Sequence, residues 1–268
     1  MFPAVPYSAY IFGSLHWYSA LIFTGIVLAF FLCSREEKRL HMPQDTVIDL
    51  AMLALPMGII GARLYYVAFQ WEMFADDPLS ILRIWEGGLA IYGGVIGGAI
   101  AVWLVARLKK LNALTLMDMI IPTVALAQAI GRWGNYFNME AYGAAITDPR
   151  WQFFPAGVLI PDGSGAYTWH MATFFYESMW NVMVFCVLWF VIRKRKKHEG
   201  AVVLWYALLY GTGRAMIEGL RTDSLRIFGL RVSQLLSLGL VLSAGVILLI
   251  LALHDRKNRE AASCHPPR

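Results

Sequence analysis

The sequence predicts an all-α membrane protein with seven transmembrane helices. Of its 268 residues, 58% are hydrophobic and only 15% are charged, whereas about a quarter of the residues in soluble domains carry a charge. Several apolar stretches reach the ~20 residues that a helix needs to cross a bilayer. A helix also satisfies its own backbone hydrogen bonds inside lipid, which an open sheet edge does not.

Seven apolar segments follow one another along the chain. Residues 88–106 and 232–253 contain no charged side chain, and the fourth segment is the shortest and contains Asp118. The predicted spans are 12–33, 46–70, 88–107, 114–131, 171–192, 201–220 and 232–253. We expect them to form a single polytopic domain over residues 1–268. The long aromatic loop at residues 132–170 is expected to form a small head between the fourth and fifth helices.

The distribution of basic residues predicts the orientation of the chain. Fifteen of the 23 Lys and Arg residues lie in the loops after the first, third and fifth spans or in the C-terminal tail. Loops rich in Lys and Arg stay in the cytoplasm. Seven spans then place the N-terminus outside, the C-terminus in the cytoplasm and the head outside. The same distribution accounts for the net charge of +5 without a nucleic-acid partner.

The other eight basic residues are all arginines, and the positive-inside rule does not account for them. Two of them, Arg63 and Arg214, lie within predicted spans, where a charge costs about 2.5–3.5 kcal/mol. These two residues therefore need either internal ion-pair partners or an anionic ligand. The eight residues are Arg63, Arg83, Arg132, Arg150, Arg214, Arg221, Arg226 and Arg231.

Polar residues converge near the outer ends of several spans. One face of the sixth span carries, at positions i, i+4, i+8 and i+11, Tyr210, Arg214, Glu218 and Arg221. A rise of about 1.5 Å per residue places Arg132 of the fourth span and Glu177 of the fifth at a similar depth. Tyr18 and Tyr92 lie near the outer ends of the first and third spans. An anion site or a network of internal salt bridges explains this pattern, and the excess of arginine over carboxylate favours the anion site.

Glycines at four-residue spacing mark the third span. Gly93, Gly94, Gly97 and Gly98 permit close contact between helices, which is the simpler interpretation. The alternative is that small residues near Tyr92 leave room for a lipid head group.

The segment GRWGNYFNMEAYG, residues 131–143, is dense in polar groups. We expect a helix that ends at glycine and presents Arg132 with the amides of Asn135 and Asn138 at the membrane surface. This combination suits a phosphate ester that carries hydroxyl groups. The alternative is an ordinary polar turn with glycine caps.

Several motifs occur in the same order as in a known family. Besides GRWGNYFNMEAYG, they are HWYS at 16–19, GARLYY at 61–66, GGLAIYGG at 87–94, TFFYES at 173–178 and YGTGRAMIEGLRTDSL at 210–225. Over nearly its whole length, the chain resembles the bacterial prolipoprotein diacylglyceryl transferases. The resemblance implies transfer of a diacylglyceryl group from phosphatidylglycerol to the lipobox cysteine of a prolipoprotein, with release of glycerol phosphate. It also implies an active site towards the outer leaflet of the bacterial cytoplasmic membrane, without a metal or cofactor.

The resemblance also implies roles for the matching residues. We expect Arg132 to bind the lipid phosphate, Arg214 to stabilise the leaving group or the thiolate, and Glu140 to orient Arg132 or a head-group hydroxyl. These three residues are the expected catalytic groups. The expected substrate-binding residues are Arg132, Asn135, Gly143, Tyr18, Tyr92, Tyr210, Glu218 and Arg221.

Two positions depart from the family pattern. The third-span motif has Tyr92 where many members have His, and a tyrosine, with a reference pKa of about 10, is a poor base at neutral pH. The fifth-span motif reads Met171-Ala172-Thr173 instead of His-Pro-Thr, with His170 one position earlier. The general base is therefore unassigned. His170 is either its replacement or a neutral interfacial histidine.

Two rival functions also fit a polytopic protein with an anion site. A lipid or anion transporter would show an inverted repeat and helices broken near the membrane midplane, and neither is evident in the sequence. The second rival is a different lipid-phosphate transferase. Its product would carry no diacylglyceryl group on a protein cysteine.

Overall fold

The computed structural model describes residues 8–162, 166–221, 226–227 and 230–264. Within these ranges, seven long helices coincide with the seven predicted segments. They are Trp17–Arg39 (α1), Thr46–Phe69 (α2), Ile91–Leu108 (α3), Ala113–Phe137 (α4), Thr173–Arg195 (α5), Ala201–Glu218 (α6) and Val232–Cys264 (α7). Residues 222–225, which end the last of the matching motifs, lie outside the described residues.

Six helices in the described part of the chain are long and apolar enough to cross a membrane: α1 to α5, and Ser233–Glu260 of α7. The chain is therefore a multi-pass membrane protein. Large apolar side chains such as Phe23 and Leu242 are exposed on the helix surfaces, as expected for helices surrounded by lipid. α6 does not belong to the six, because charged residues such as Arg214 and Glu218 lower its mean hydropathy.

The first helix begins later than predicted. Tyr10–Phe12 (β1) and Leu15–His16 (β2) form a short antiparallel hairpin, so α1 begins at Trp17 rather than at residue 12. A strand of two or three residues is too short for an alternating pattern to stand out in the sequence.

The fourth helix ends later than predicted. The expectation of a helix end at glycine was wrong, because α4 continues through Gly131 and Gly134 to Phe137. Both glycines face α1: a Cβ atom on Gly131 would touch Ile22, and one on Gly134 would overlap the Tyr18 ring. Close contact with α1 therefore outweighs the helix penalty of about 1 kcal/mol for each glycine.

The loop between α4 and α5 forms a head built on a second hairpin. Gly157–Pro161 (β3) pairs with Tyr167–Met171 (β4) in antiparallel register. Val158 of β3 is buried against Tyr136 near the end of α4 and Phe174 at the start of α5. The core of the head is thus continuous with the ends of two helices. A third small hairpin, Arg226–Ile227 (β5) with Leu230–Arg231 (β6), precedes α7.

The chain forms two compact units. The first unit comprises Met1–Ala29 with Ile120–Arg268, and the second comprises Phe30–Met119. The first unit therefore contains the head and most of the residues predicted to form the site, whereas Tyr92 belongs to the second.

Glycines bring α2 and α3 together in the second unit. A Cβ atom on Gly93 would overlap the carbonyl oxygen of Gly61, and one on Gly97 would overlap that of Met57. The predicted role of this glycine spacing in helix packing is thus confirmed.

Arg63 of α2 is buried, and its partners are backbone carbonyl groups. Its guanidinium donates to the carbonyl oxygens of Ser80 at 2.6 Å, Ile81 at 2.8 Å and Gly87 at 2.7 Å. The ring of Phe74 lies 5.0 Å from the guanidinium carbon. One charged side chain thereby holds the loop between α2 and α3. The partners of Arg63 are thus backbone carbonyl oxygens, rather than the ion-pair partner or the anionic ligand that the sequence led us to expect.

The α2–α3 contact provides a matched pair of substitutions. Gly97→Ala places a methyl group against the Met57 backbone, and we expect it to lower the free energy of unfolding by about 1–3 kcal/mol. Gly98→Ala has no atom within 4 Å of the new methyl group, so the higher helix propensity of alanine leaves stability unchanged or slightly higher. Thermal unfolding of the two purified variants in detergent checks this, and equal midpoints would contradict the packing account.

Candidate active site

One carboxylate lies at the centre of the polar cluster in the first unit. Glu177, in the second turn of α5, has a side chain only 6% exposed, and its Oε2 lies 2.5 Å from Nη2 of Arg132 on α4. Its Oε1 lies 2.7 Å from Nη1 of Arg214 on α6 and 3.4 Å from Nη1 of Arg221, which follows α6. Three segments that are distant in sequence therefore meet at one side chain.

A second buried carboxylate completes the cluster. Glu218 lies one turn after Arg214 on α6, and its Oε2 lies 2.6 Å from Nη2 of that arginine. Its backbone carbonyl accepts a hydrogen bond from Arg231. In the described part of the chain, the cluster thus contains two carboxylates and four arginines.

Among the residues that the structure describes, this cluster joins four arginines to two carboxylates. The side chains of Arg132, Arg214 and Arg221 are 22%, 17% and 12% exposed, so they are largely shielded but still accessible. Uncompensated charge is costly in a membrane protein interior. The cluster is therefore suited to an anion, and guanidinium groups bind phosphate in a planar, two-pronged geometry.

Hydrogen bonds beside Glu177 fix α5 against α4. Ser178 accepts a hydrogen bond from the indole nitrogen of Trp133 at 3.1 Å and donates to the carbonyl oxygen of Ala129 at 2.8 Å. Because Trp133 follows Arg132 and Ser178 follows Glu177, these bonds set the spacing of the ion pair.

Gly213 brings α6 equally close to α5. A Cβ atom at this position would overlap the indole ring of Trp180, whose nitrogen donates to the carbonyl oxygen of Leu209 at 2.9 Å. The close approach allows Arg214 to reach Glu177.

The head positions Arg221. The Gly143 N–H donates to the carbonyl oxygen of Met171 at 2.9 Å, and the Ala144 N–H donates to that of Leu220 at 3.1 Å. A Cβ atom on Gly143 would lie 2.8 Å from the Leu220 carbonyl oxygen, so only glycine permits this pairing. The expectation that Arg221 shares a helical face with Arg214 was wrong, because α6 ends at Glu218 and the head holds the turn that follows.

Glu140 lies in a separate polar group at the end of α4. Its Oε1 accepts hydrogen bonds from the side-chain amides of Asn135 at 2.8 Å and Asn138 at 3.2 Å. Its backbone N–H donates to the Asn135 carbonyl oxygen at 3.0 Å, which closes the turn after the helix. The carboxylate that pairs with Arg132 is instead Glu177.

The three predicted tyrosines occupy different places. The Tyr18 ring packs over Gly134 of α4. Tyr210 lies one turn before Arg214 on α6, and its ring stacks on Tyr206 with centroids 5.2 Å apart. Tyr92 lies in the second unit, where it packs beside another tyrosine of α2.

His170 is held within the head through both ring nitrogens. Nδ1 lies 2.9 Å from the carbonyl oxygen of Gly143 and therefore carries the hydrogen, because a carbonyl only accepts. Nε2 lies 3.0 Å from the Thr168 hydroxyl oxygen. The Tyr142 ring packs against the imidazole with centroids 4.8 Å apart. These contacts fit a structural role for His170 within the head.

Glu177 is the central residue that the predicted site left out. The available signal was a carboxylate in the motif TFFYES within an apolar span, because such a charge requires partners. Within the described residues, no group of three or more His, Cys, Asp or Glu side chains is arranged to hold a metal ion.

The chain is similar to known proteins over most of its length. A family model described as prolipoprotein diacylglyceryl transferase matches residues 6–251. A phosphatidylglycerol–prolipoprotein diacylglyceryl transferase of Streptococcus uberis is 45% identical over 240 residues, which cover 89% of this chain and 91% of the relative.

Two other relatives carry the same name. The protein of Enterococcus faecalis is 46% identical over 241 residues, covering 88% of this chain and 86% of the relative. That of Streptococcus equi subsp. equi is 43% identical over 249 residues, covering 91% of this chain and 93% of the relative. The chain therefore belongs to the prolipoprotein diacylglyceryl transferase family.

Proposed function

We propose that this chain transfers the diacylglyceryl group of phosphatidylglycerol to the thiol of the lipobox cysteine in prolipoproteins. The names of its relatives supply the two substrates. The observation that carries the proposal is the convergence of the positively charged guanidinium groups of three arginines on the buried Glu177 carboxylate. Those charges match a lipid phosphate together with a thiolate.

The reaction exchanges one bond at a glycerol carbon. The cysteine sulfur bonds to the carbon that bears the phosphate, the C–O bond breaks, and its electron pair leaves with the phosphate oxygen. The phosphodiester carries one negative charge and the released glycerol phosphate carries a second. The proton lost by the thiol balances that charge.

The arginines act on both partners of this exchange. A free thiol has a pKa near 8.5, so only a few per cent is thiolate at pH 7, and neighbouring guanidinium groups raise that fraction. Arg132 binds the lipid phosphate, and Arg214 stabilises the charge that develops on the leaving group or the thiolate. Elsewhere, removing one preorganised donor of this kind reduces the rate by about 10²–10³-fold.

The remaining predicted site residues have supporting roles. Glu218 and Arg221 complete the charged cluster with Tyr210 beside it, and Gly143 holds the turn that carries Arg221. Glu140, Asn135 and Tyr18 form the polar and aromatic border at the end of α4, where Glu140 orients a hydroxyl of the lipid head group. Tyr92, in the second unit, is proposed as a further substrate-binding residue on its match to the family motif.

The proposed setting is the bacterial cytoplasmic membrane, with the active site towards the outer leaflet. With α6 added to the six apolar helices, the chain crosses the membrane seven times. α6 follows the basic residues 193–197, which stay in the cytoplasm by the positive-inside rule, and it ends at the charged cluster. The N-terminus is then outside, the C-terminus is in the cytoplasm, and residues 132–170 form an extracytoplasmic head. The whole chain, residues 1–268, acts as one membrane domain.

The proposed reaction is tested with purified protein in phosphatidylglycerol micelles and a synthetic lipobox peptide. We expect the intact mass of the peptide to increase by one diacylglyceryl group. A Cys→Ser peptide and micelles without phosphatidylglycerol are the controls, and neither gives an adduct. Retained lipid binding without any adduct would refute the proposal and favour lipid transport.

Arg132→Lys tests the guanidinium at the phosphate position. Lysine keeps the charge but loses the planar fork, so we expect kcat/KM to fall about 100-fold or more. Arg150→Lys is the matched control, because the Arg150 side chain is 84% exposed and pairs with Asp148 in the head. Near-normal turnover of Arg132→Lys in the peptide assay would contradict the proposed contact.

Glu177→Gln tests the balance of charge in the cluster. It leaves the arginines without their central carboxylate, and we expect the free energy of unfolding to fall by about 3 kcal/mol. Phosphatidylglycerol then stabilises this variant more than the original protein, because its phosphate supplies the missing negative charge. Glu72→Gln, at an exposed carboxylate, is the control. Thermal unfolding with and without the lipid measures both effects. Equal lipid stabilisation of all three proteins would contradict the expected effect of the lipid, and an unchanged midpoint of Glu177→Gln without lipid would contradict the expected loss of stability.

A further inference from the structure

A cavity adjoins the ion cluster between α5 and α6. It is narrow and partly open to the surface, and its volume of about 10 Å³ holds one polar atom the size of a carbonyl oxygen or a water molecule. Glu177 and Arg214 line one end of it, and Asn181 and Tyr210 line it further along. Because Asn181 follows Glu177 by four residues on α5, and Tyr210 precedes Arg214 by four on α6, both lie one turn away from the charged centre. The cavity therefore extends away from the head and into the helix pair.

Asn181 is a buried polar residue that the proposed reaction does not yet use. It is only 3% exposed. Within the described part of the chain, neither its carboxamide nor the Tyr210 hydroxyl has a hydrogen-bond partner. Buried amides in folded proteins are almost always hydrogen-bonded, because an unpaired one destabilises the fold. The unpaired carboxamide in this cavity therefore indicates a ligand.

The cavity walls define the chemistry of that ligand. The Asn181 amide and the Tyr210 hydroxyl both offer hydrogen-bond donors, whereas the Trp180 indole and Ile217 supply apolar surface. The Trp180 ring is fixed by its bond to the Leu209 carbonyl oxygen at 2.9 Å. The ligand group is thus an uncharged acceptor that continues into hydrocarbon.

We infer that Asn181, with Tyr210, binds an acyl ester carbonyl of phosphatidylglycerol. The inference rests on the proposed function, in which arginines one turn away hold the lipid phosphate. One helical turn is about 5.4 Å, and the ester carbonyls of a glycerophospholipid lie a few bonds beyond its phosphate. The site thereby distinguishes acyl-linked from alkyl-linked glycerol, because an ether oxygen lacks the carbonyl.

The test compares two lipids in the peptide assay: diacyl phosphatidylglycerol and its dialkyl ether analogue. The original protein has a KM about fivefold lower for the diacyl lipid, the effect of about one hydrogen bond. In Asn181→Ala, KM for the diacyl lipid rises to that for the dialkyl lipid, while kcat is unchanged. Asn181→Leu, which fills the same space without a donor, gives the same result if the alanine variant does not fold.

The matched control is Met179→Ala, an exposed position on the same helix, which keeps the fivefold preference. Loss of activity on both lipids by the same factor in the Asn181 variants would show a purely structural role and overturn the inference. Equal KM values for both lipids in the original protein would also overturn it. They would mean that the Asn181 side-chain amide bonds to a water molecule rather than to the ester carbonyl. If the original protein modifies the peptide with neither lipid, the proposed function itself fails.

Discussion

The site depends on one ion pair network, in which the buried Glu177 carboxylate meets three guanidinium groups. Those groups come from α4, α6 and the turn after α6. A charge placed alone in a membrane helix costs about 2.5–3.5 kcal/mol, and removing one partner of a buried pair costs about 3–5 kcal/mol. Each member of the network therefore requires the others. The mutual requirement holds the ends of three helices at one level and concentrates positive charge there.

Other contacts of the first unit hold these charged groups close together. Gly213 lets α6 approach Trp180, and the bonds through Ser178 fix α5 against α4. Gly143 brings the head against the turn that carries Arg221. In the proposed function, these rigidly held arginines provide the positive charge that binds the substrate phosphate. Preorganised charge of this kind stabilises a transition state without reorganisation during the reaction.

The helices were predictable because each must satisfy its backbone and present apolar side chains to lipid, and both demands leave long apolar runs in the sequence. Their ends were less predictable. The sequence of α4 indicates a stop at Gly131, yet contact with α1 carries the helix on to Phe137. The short hairpins escaped prediction because two to five residues give too little periodicity.

The sequence predicted which residues belong to the site better than it predicted which of them contact one another. Arginines in an apolar context indicate buried charge, and the motifs identified Arg132 and Arg214. Which carboxylate each contacts depends on helix packing: Arg132 meets Glu177, whereas Glu140 bonds to Asn135 and Asn138. The same limit applied to Arg63. Its charge indicated an anionic ligand or an ion pair, whereas its guanidinium donates to backbone carbonyl oxygens.

The central claim, that these arginines bind the lipid phosphate, is tested most directly by solid-state NMR. Protein with ¹⁵N-labelled arginine in phosphatidylglycerol bilayers gives a ³¹P–¹⁵N dipolar coupling wherever a guanidinium contacts a phosphate. We predict a short-range coupling that falls in Arg132→Lys and persists in Arg150→Lys. A coupling that is unchanged in Arg132→Lys would come from other arginines and would contradict the account.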